Sequence, residues 1–350
     1  MVILVKKFSV LLMCFVVAFS VSDYKVSAGD YFARSYIVMD YNTGEVLESK
    51  EMNLQRSVAS ISKIMTAILA IENSSLESYV EVNNDILKAY GSSIYLKVGE
   101  VVTMKDLVYG LMLRSGNDAA VTIARGVSGG IESFVELMNK KAKEIGMENT
   151  IFHNPSGLDI DDEGNLSTSY DMAVLMRYSL NNEIFRKITS TKEYKSNSHG
   201  IWLNKNKLLR QYEYTSGGKT GFTTKAKRTL VTSAKKGDME LIVVTLDCGG
   251  DFAMHKSLYE KYFNNYTTFK LLKVGINTFE EYELICDSNI SVTLENRDVE
   301  ESSIVYNVKG DNSDVVLVQN GKEKVIGNCK TNKVDKKAGK KRWFKSLFGK

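Results

Sequence analysis

The chain has 350 residues, 43% of them hydrophobic, 25% charged and 10% aromatic, which provides for one large core or two smaller ones and excludes wholesale disorder. Its net charge of +4 is unevenly spread: residues 1–28 carry +2, residues 330–350 carry +8 from nine Lys or Arg against Asp335, and −6 is left for the body. A mildly acidic body argues against nucleic acid as a partner.

The start has the layout of a secretory signal. Lys6 and Lys7 precede an apolar run from Phe8 to Val21, and Val26-Ser27-Ala28 offers small residues for cleavage. The run is short for a spanning helix, so residues 1–28 read as a signal peptide and the rest as exported; an uncleaved anchor is the alternative. Past it remain Cys248, Cys286 and Cys329, an odd set in which one pair could form without the sequence saying which. The histidines, His153, His199 and His255, stand far apart, and no metal or cofactor site is expected.

In chain order, residues 35–50 read as a β-hairpin about Asn42-Thr43-Gly44. An apolar helical pattern at Ile64, Met65, Ile68, Leu69 and Ile71 follows a small-residue lead-in, with Ser60 where that helix should begin. A short helix is expected over Asp85–Ala89, and Ser92–Leu96 is extended. Met104–Leu113 is helical and ends at Arg114-Ser115-Gly116-Asn117, after which a helix restarts near Asp118. Ile131–Ile145 is an amphipathic helix stopped by Gly146. Thr150–Asp159 is a turn-rich loop, and Ser167 or Thr168 caps a helix over Tyr170–Leu180. Lys192–Tyr214 reads as short strands and loops, and residues 214–218 as a flexible turn. Thr229–Ala234 and Leu241–Asp247 form a hairpin, and Phe252–Phe263 a helix. Strands before and after a helical middle imply an α+β body whose sheet is not ordered sequentially. From residue 272 the pattern is short β segments: Tyr282–Cys286, Ile290–Leu294, Ser303–Val308, Val315–Gln319 and Lys324–Ile326. In the final KKAGKKRWFKSLFGK, Trp343, Phe344, Leu347 and Phe348 share one helical face among lysines, the composition of an interfacial helix.

On a helix, Ser60 and Lys63 share a face, and a serine at a helix start sits among unpaired N–H groups. That suits a nucleophilic hydroxyl, its base and a developing oxyanion. Alone the pattern is weak, since S-x-x-K recurs at Ser216–Lys219 and Ser233–Lys236. Its company gives it weight: Ser115-Gly-Asn117 and Lys219-Thr-Gly221 follow in order.

The set S-x-x-K, S-x-N and K-T-G resembles the penicillin-binding protein and serine β-lactamase fold. The stretches ASISKIMTA, LMLRSGNDAA, IGMENTIFHNPSGLD, STSYDMA and KTGFT resemble the low-molecular-mass penicillin-binding proteins, the serine D-alanyl-D-alanine carboxypeptidases, over roughly residues 30–265. The resemblance implies an antiparallel sheet flanked by helices with a helical subdomain over 29–271, a small β domain over 272–329 and a basic amphipathic tail over 330–350. It also implies removal of the terminal D-alanine from peptidoglycan stem pentapeptides, at the outer face of the bacterial cell membrane, in cell-wall biogenesis. β-Lactams would be covalent inhibitors, and the tail would hold the membrane surface. By the same resemblance Ser60 is the acyl-ester nucleophile, Lys63 the general base, Ser115 a proton relay and Asn117 an orienting group. Lys219, Thr220, Gly221 and Thr223 bind substrate, and the backbone N–H of Phe222 joins that of Ser60 as oxyanion donor. Departures flank the motifs: Val58 stands for a usual proline, Ser62 for a threonine, Ala226-Lys227 for Ala-Gly, and Ser216-Gly217-Gly218 leads into K-T-G. Rival readings of the same fold are a β-lactamase, for which Glu136 is a superficial candidate base, a DD-endopeptidase, a transpeptidase, and a silent wall-binding protein.

Overall fold

The computed structural model describes residues 32–159, 163–279, 282–333 and 342–346. The signal segment, Leu347 and Phe348 lie outside the described residues. Strand β1 (Ala33–Asp40) turns back into β2 (Val46–Lys50), so the expected hairpin is present. The buried Asp40 carboxylate fixes its turn, accepting from Thr43 N at 2.7 Å and Thr43 Oγ1 at 3.1 Å. Strand β3 (Arg56–Ser57) leads into a 3-10 turn, Ala59–Ser62, and then α1 (Lys63–Asn73). Ser60 thus sits on the turn, and the α-helix begins three residues later than expected. Every residue of α1 from Lys63 to Ile71 is buried, which makes it the central helix of the body.

Strand β4 (Tyr79–Glu81) pairs with β5 (Val101–Thr103); between them lies a short 3-10 helix, Asn84–Lys88. Thr103 caps α2 (Met104–Tyr109) by accepting from Asp106 N. The helix widens into a π turn over Gly110–Arg114, and α3 (Asn117–Ser128) and α4 (Ile131–Glu144) follow. Gly146 ends α4 at φ +83°, where a side chain would be strained. Strand β6 (Leu166–Ser167) pairs with β3, and Thr168 caps α5 (Ser169–Leu180). The sequence reading lacks α6 (Glu183–Ser190), although its cap, Asn182, accepts from Ile184 N and Phe185 N and is a legible start signal. Strands β7 (Glu193–Lys195) and β8 (Ile201–Leu203) pair, and a short α7 (Leu208–Gln211) precedes the last strands of the main sheet.

Residues 215–218 are a correction. They belong to β9 (Thr215–Thr223), not to a flexible turn. A Cβ at Gly217 would stand 2.5 Å from Thr189 Cγ2 of α6, and one at Gly218 would stand 2.5 Å from the Val231 carbonyl. These glycines record close packing on a strand. Strands β10 (Lys227–Lys236) and β11 (Met239–Cys248) form the expected hairpin, and the sheet runs β2-β1-β11-β10-β9, antiparallel throughout. Helices α1 and α5 pack toward one face, α8 (Asp251–Asn265) on the other.

The chain then enters a second β-rich region. Strand β12 (Tyr266–Leu272) pairs with β15 (Ile290–Glu295). Strands β13 (Gly275–Thr278), β14 (Tyr282–Cys286), β16 (Ser302–Lys309), β17 (Asn312–Gln319), β18 (Lys322–Lys333) and β19 (Arg342–Ser346) make a sheet ordered β13-β14-β18-β17-β16-β19. A disulfide joins Cys286 to Cys329, which names the pair the sequence left open, and Cys248 is a buried free thiol. The helix expected over the tail is not found at residues 342–346. They pair as a strand along β16, whose outer edge would otherwise leave backbone groups unpartnered.

His255 of α8 lies fully buried against the sheet, its Nδ1 2.7 Å from Thr232 Oγ1 and its Nε2 3.0 Å from Thr245 Oγ1. Burial pushes its pKa from 6.5 down to about 3. Between these values the unfolded chain binds a proton that the folded chain refuses. Stability from this group is therefore complete above pH 6.5 and is lost as pH falls toward 3. From pH 7 to pH 5 unfolding should become easier by about 2 kcal/mol through this residue alone. Urea unfolding of the wild type and of His255→Gln at both pH values checks this: the variant should be less stable at pH 7 yet lose less on acidification.

Candidate active site

The site is built where the 3-10 turn, the Ser115 turn and the edge strand β9 converge. Ala59 holds φ +51°, unusual for a residue with a Cβ, and Ser62 Oγ donates to the Ala59 carbonyl at 2.7 Å. This turn leaves Ser60 partly exposed while Ile61, Ser62 and Lys63 are buried. Lys63 Nζ lies 2.9 Å from Ser60 Oγ and 2.7 Å from Asn117 Oδ1, and it donates to the Ser156 carbonyl. All three neighbours are uncharged. Burial first, then the charges of Lys219 and Lys205, hold the Lys63 amine well below the usual lysine range; Asp118 works weakly the other way. An amine so placed gives up its proton more readily than a free lysine, and in its free-base form can take the hydroxyl proton.

A second buried amine completes the centre. Lys219 Nζ donates to Ser115 Oγ at 3.0 Å and to the Thr220 carbonyl at 2.7 Å. Its pKa is pushed down to about 7, by burial and then by Lys205. Ser115 ends the π turn in the left-handed region, φ +65°, which aims its hydroxyl at Lys219, while Asn117 two residues on serves Lys63. The segment before them is tied to this turn. Ser92 O accepts from Asn117 N at 2.7 Å, and buried Asp118 accepts from Ile94 N, Leu96 N and Ser93 Oγ.

Strand β9 closes the other side. A Cβ at Gly221 would stand 2.4 Å from Thr229 Oγ1 and 3.0 Å from Ser60 N, so a side chain there would crowd both the neighbouring strand and the serine turn. As the edge of its sheet, β9 has no strand beyond it among the described residues; Thr189 Oγ1 of α6 engages Gly218 N and O there, and Lys219 takes the Thr220 carbonyl. Thr220 is partly buried and Phe222 exposed, and Thr223 Oγ1 accepts from Ala226 N, closing the turn into β10.

The expected residues therefore form two joined clusters, Ser60–Lys63–Asn117 and Ser115–Lys219. The sequence reading missed a third wall, Asn154-Pro155-Ser156-Gly157. Asn154 Oδ1 accepts from Ser156 N, Ser156 Oγ and Gly157 N, Pro155 O accepts from Thr66 Oγ1, and Ser156 O accepts from Lys63. Gly157, at φ +77°, has no room for a Cβ, which would fall 2.0 Å from the Ala59 carbonyl. The turn-forming composition was legible; that its carbonyl faces a lysine was not. Lys205, whose Nζ reaches Ser92 Oγ at 3.0 Å, was also missed, and the run Asn204–Lys207 carries no signal for it. A hydroxyl beside an amine held low in pKa, a second buried amine and backbone N–H groups set against strand β9 can together carry out acyl transfer.

Comparison with known proteins agrees. Residues 22–250 match the Peptidase_S11 family, described as D-alanyl-D-alanine carboxypeptidase. The chain is 40% identical over 221 residues to D-alanyl-D-alanine carboxypeptidase DacF of Bacillus subtilis, a match covering 61% of this chain and 56% of that protein. It is 33% identical over 217 residues to DacB2 of Mycobacterium tuberculosis, covering 61% of this chain and 74% of that one. The match thus spans just over half the length of the Bacillus relative. Penicillin binding protein 5 from Haemophilus influenzae superposes with a TM-score of 0.76 at 27% identity, over 87% of this chain and 96% of that chain. With a family match over most of its length and a fold to suit, the chain belongs to the D-alanyl-D-alanine carboxypeptidase family, low-molecular-mass penicillin-binding proteins of the serine type.

Proposed function

We propose that the protein is a serine D-alanyl-D-alanine carboxypeptidase of cell-wall metabolism, acting on peptidoglycan stem peptides that end in D-Ala-D-Ala. The observation that carries this is the buried Lys63 amine, low in pKa and 2.9 Å from Ser60 Oγ. Ser60 Oγ forms an ester bond to the carbonyl carbon of the penultimate D-alanine, and its proton passes to Lys63. Asn117 orients that amine and the substrate amide. The amide C–N bond then breaks as the leaving D-alanine nitrogen takes a proton through Ser115, and water hydrolyses the ester. The N–H groups of Ser60 and Phe222 hold the oxyanion, and Gly221 and Thr223 shape the strand that receives the peptide. Lys219 and Thr220 bind the terminal carboxylate, and that anion would restore the charge of Lys219 on binding. A β-lactam would acylate Ser60 in the same way. Glu136, the candidate base of a β-lactamase reading, is exposed on α4.

The finer organisation is also proposed. Residues 1–28 are a signal peptide, 29–271 the catalytic domain, 272–329 a β domain, and 330–350 a tail that holds the outer face of the cell membrane. Attraction of its lysines and arginine to anionic lipid, with insertion of Trp343, Phe344, Leu347 and Phe348, supports this. Insertion would draw residues 342–346 off β16.

Ser60→Ala should lose all labelling by a fluorescent penicillin on a denaturing gel; a labelled variant rejects the nucleophile. Lys219→Ala should lose roughly 10- to 100-fold in kcat/KM on peptides with a free terminal carboxylate, the worth of one charge-assisted hydrogen bond, and far less on esters lacking it. Equal losses remove Lys219 from the clamp. Deleting residues 336–350 should shift the protein from the membrane to the soluble fraction of sedimented lysates, and retention would place the anchor elsewhere.

A further inference from the structure

Strands β9 and β10 meet in a tight turn at the far end of the catalytic strand. Thr223 Oγ1 accepts from Ala226 N at 3.0 Å and closes that turn. Lys227, the first residue of β10, holds φ +60°. This is the left-handed region, where a residue with a Cβ is uncommon and glycine is at ease. The carboxypeptidase resemblance assigns glycine to this place, so the chain bears a charged side chain where its backbone favours none. An exposed residue kept in such a conformation beside a reaction centre points to a use.

The neighbouring charges are matched, and this one is not. Arg228 pairs with Asp251 at 2.7 Å, and Arg56 pairs with Asp247 at 2.8 Å. The Lys227 amine forms no ion pair or side-chain hydrogen bond among the described residues. It stands in solvent as a positive charge without an answer.

Register shows what can reach it. Lys227 lies opposite Thr223, one residue past Phe222, whose N–H is the proposed oxyanion donor. A substrate peptide antiparallel to β9 has its terminal carboxylate at Lys219 and Thr220 and its penultimate carbonyl at Phe222. Its upstream residues therefore run toward the β9–β10 turn. Two residues of extended chain cover about 7 Å, which brings the residue two before the penultimate D-alanine beside the Thr223–Lys227 pair. The peptide and β10 flank β9 from opposite sides, about 10 Å apart. The four-carbon stem of a lysine, a hydrogen bond and a carboxylate arm together span that gap.

We propose that Lys227 is a specificity-determining residue whose amine binds a carboxylate on the substrate residue two before the penultimate D-alanine. In a stem peptide this residue is a glutamate joined through its side chain, so its α-carboxylate is free to pair. The assignment rests on the acyl-enzyme reading of Ser60 and adds an upstream contact to it.

The test measures D-alanine release from L-Ala-γ-D-Glu-L-Lys-D-Ala-D-Ala and from the same peptide with D-isoglutamine, which replaces that carboxylate by a neutral amide. At low ionic strength the wild type should favour the acidic peptide by roughly threefold in kcat/KM, the scale of one exposed ion pair. Added salt should shrink the preference. Lys227→Gly, which suits φ +60° and so keeps the fold, should bring the ratio of the two peptides to about one, and Lys227→Glu should invert it. Labelling by a fluorescent penicillin, which has no upstream residue, reports that each variant is folded. Equal rates in the wild type, or a preference that survives in both folded variants, overturn the role of Lys227 and leave Ser60 untouched. No release from either peptide overturns the acyl-enzyme reading and the upstream contact with it.

Discussion

An amine buried among neutral acceptors is the constraint on which the rest of this structure depends. Lys63 has the Ser60 hydroxyl, the Asn117 amide oxygen and the Ser156 carbonyl as partners and no carboxylate in contact. A protonated lysine there would be desolvated without a counter-ion, at a cost of several kcal/mol. The scaffold thus favours the free base. That demand shapes its surroundings: α1 must be buried on every side, and the acceptors must come from backbone and amide groups held rigidly. Lys219 strengthens the effect, because a second buried amine opposes charge on the first.

Holding uncharged acceptors in place requires close backbone contact, and much of the unusual backbone near the centre follows from it. Ala59 and Ser115 take positive φ, and Gly157 and Gly221 stand where a Cβ would meet the serine turn. Each deviation brings one wall up to Ser60 or turns one hydroxyl toward a lysine. The strain at Ala59 is held from two directions, by the Ser62 hydroxyl on its carbonyl and by Gly157 packed against it.

Much of this could be read from the chain. Hairpins, the principal helices and the order of the three motifs were legible because they rest on local periodicity and spacing. What was illegible joins residues far apart. Ser156 lies 93 positions from Lys63, and only folding reveals that the carbonyl of a turn residue faces that amine. Gly217 and Gly218 look like a flexible turn by composition and are strand because α6 and β10 approach them closely. The helical face drawn through Trp343 and Phe344 is a property of sequence alone. The backbone there answers instead to the open edge of β16.

The two ends of the main sheet divide the labour. At one, the β1–β2 turn is stitched to the second β-rich region: Thr293 Oγ1 donates to buried Asp40 at 2.9 Å, and Lys324 pairs with Glu45. At the β10–β11 turn Lys270 pairs with Asp238. On the outer side of β9, Thr189 of α6 engages Gly218 N and O and the Lys219 amine takes the Thr220 carbonyl, and only the stretch beyond them, with exposed Phe222, stays open. An extended peptide laid antiparallel to that edge could use its free backbone groups, and Gly221 keeps the strand flush with Ser60 while it does so. An open edge is ordinarily an invitation to aggregate. Here it is short and glycine-rich and faces a cleft walled by the Ser115 turn, so it can admit one strand of substrate while denying a long flat surface to another copy of the chain.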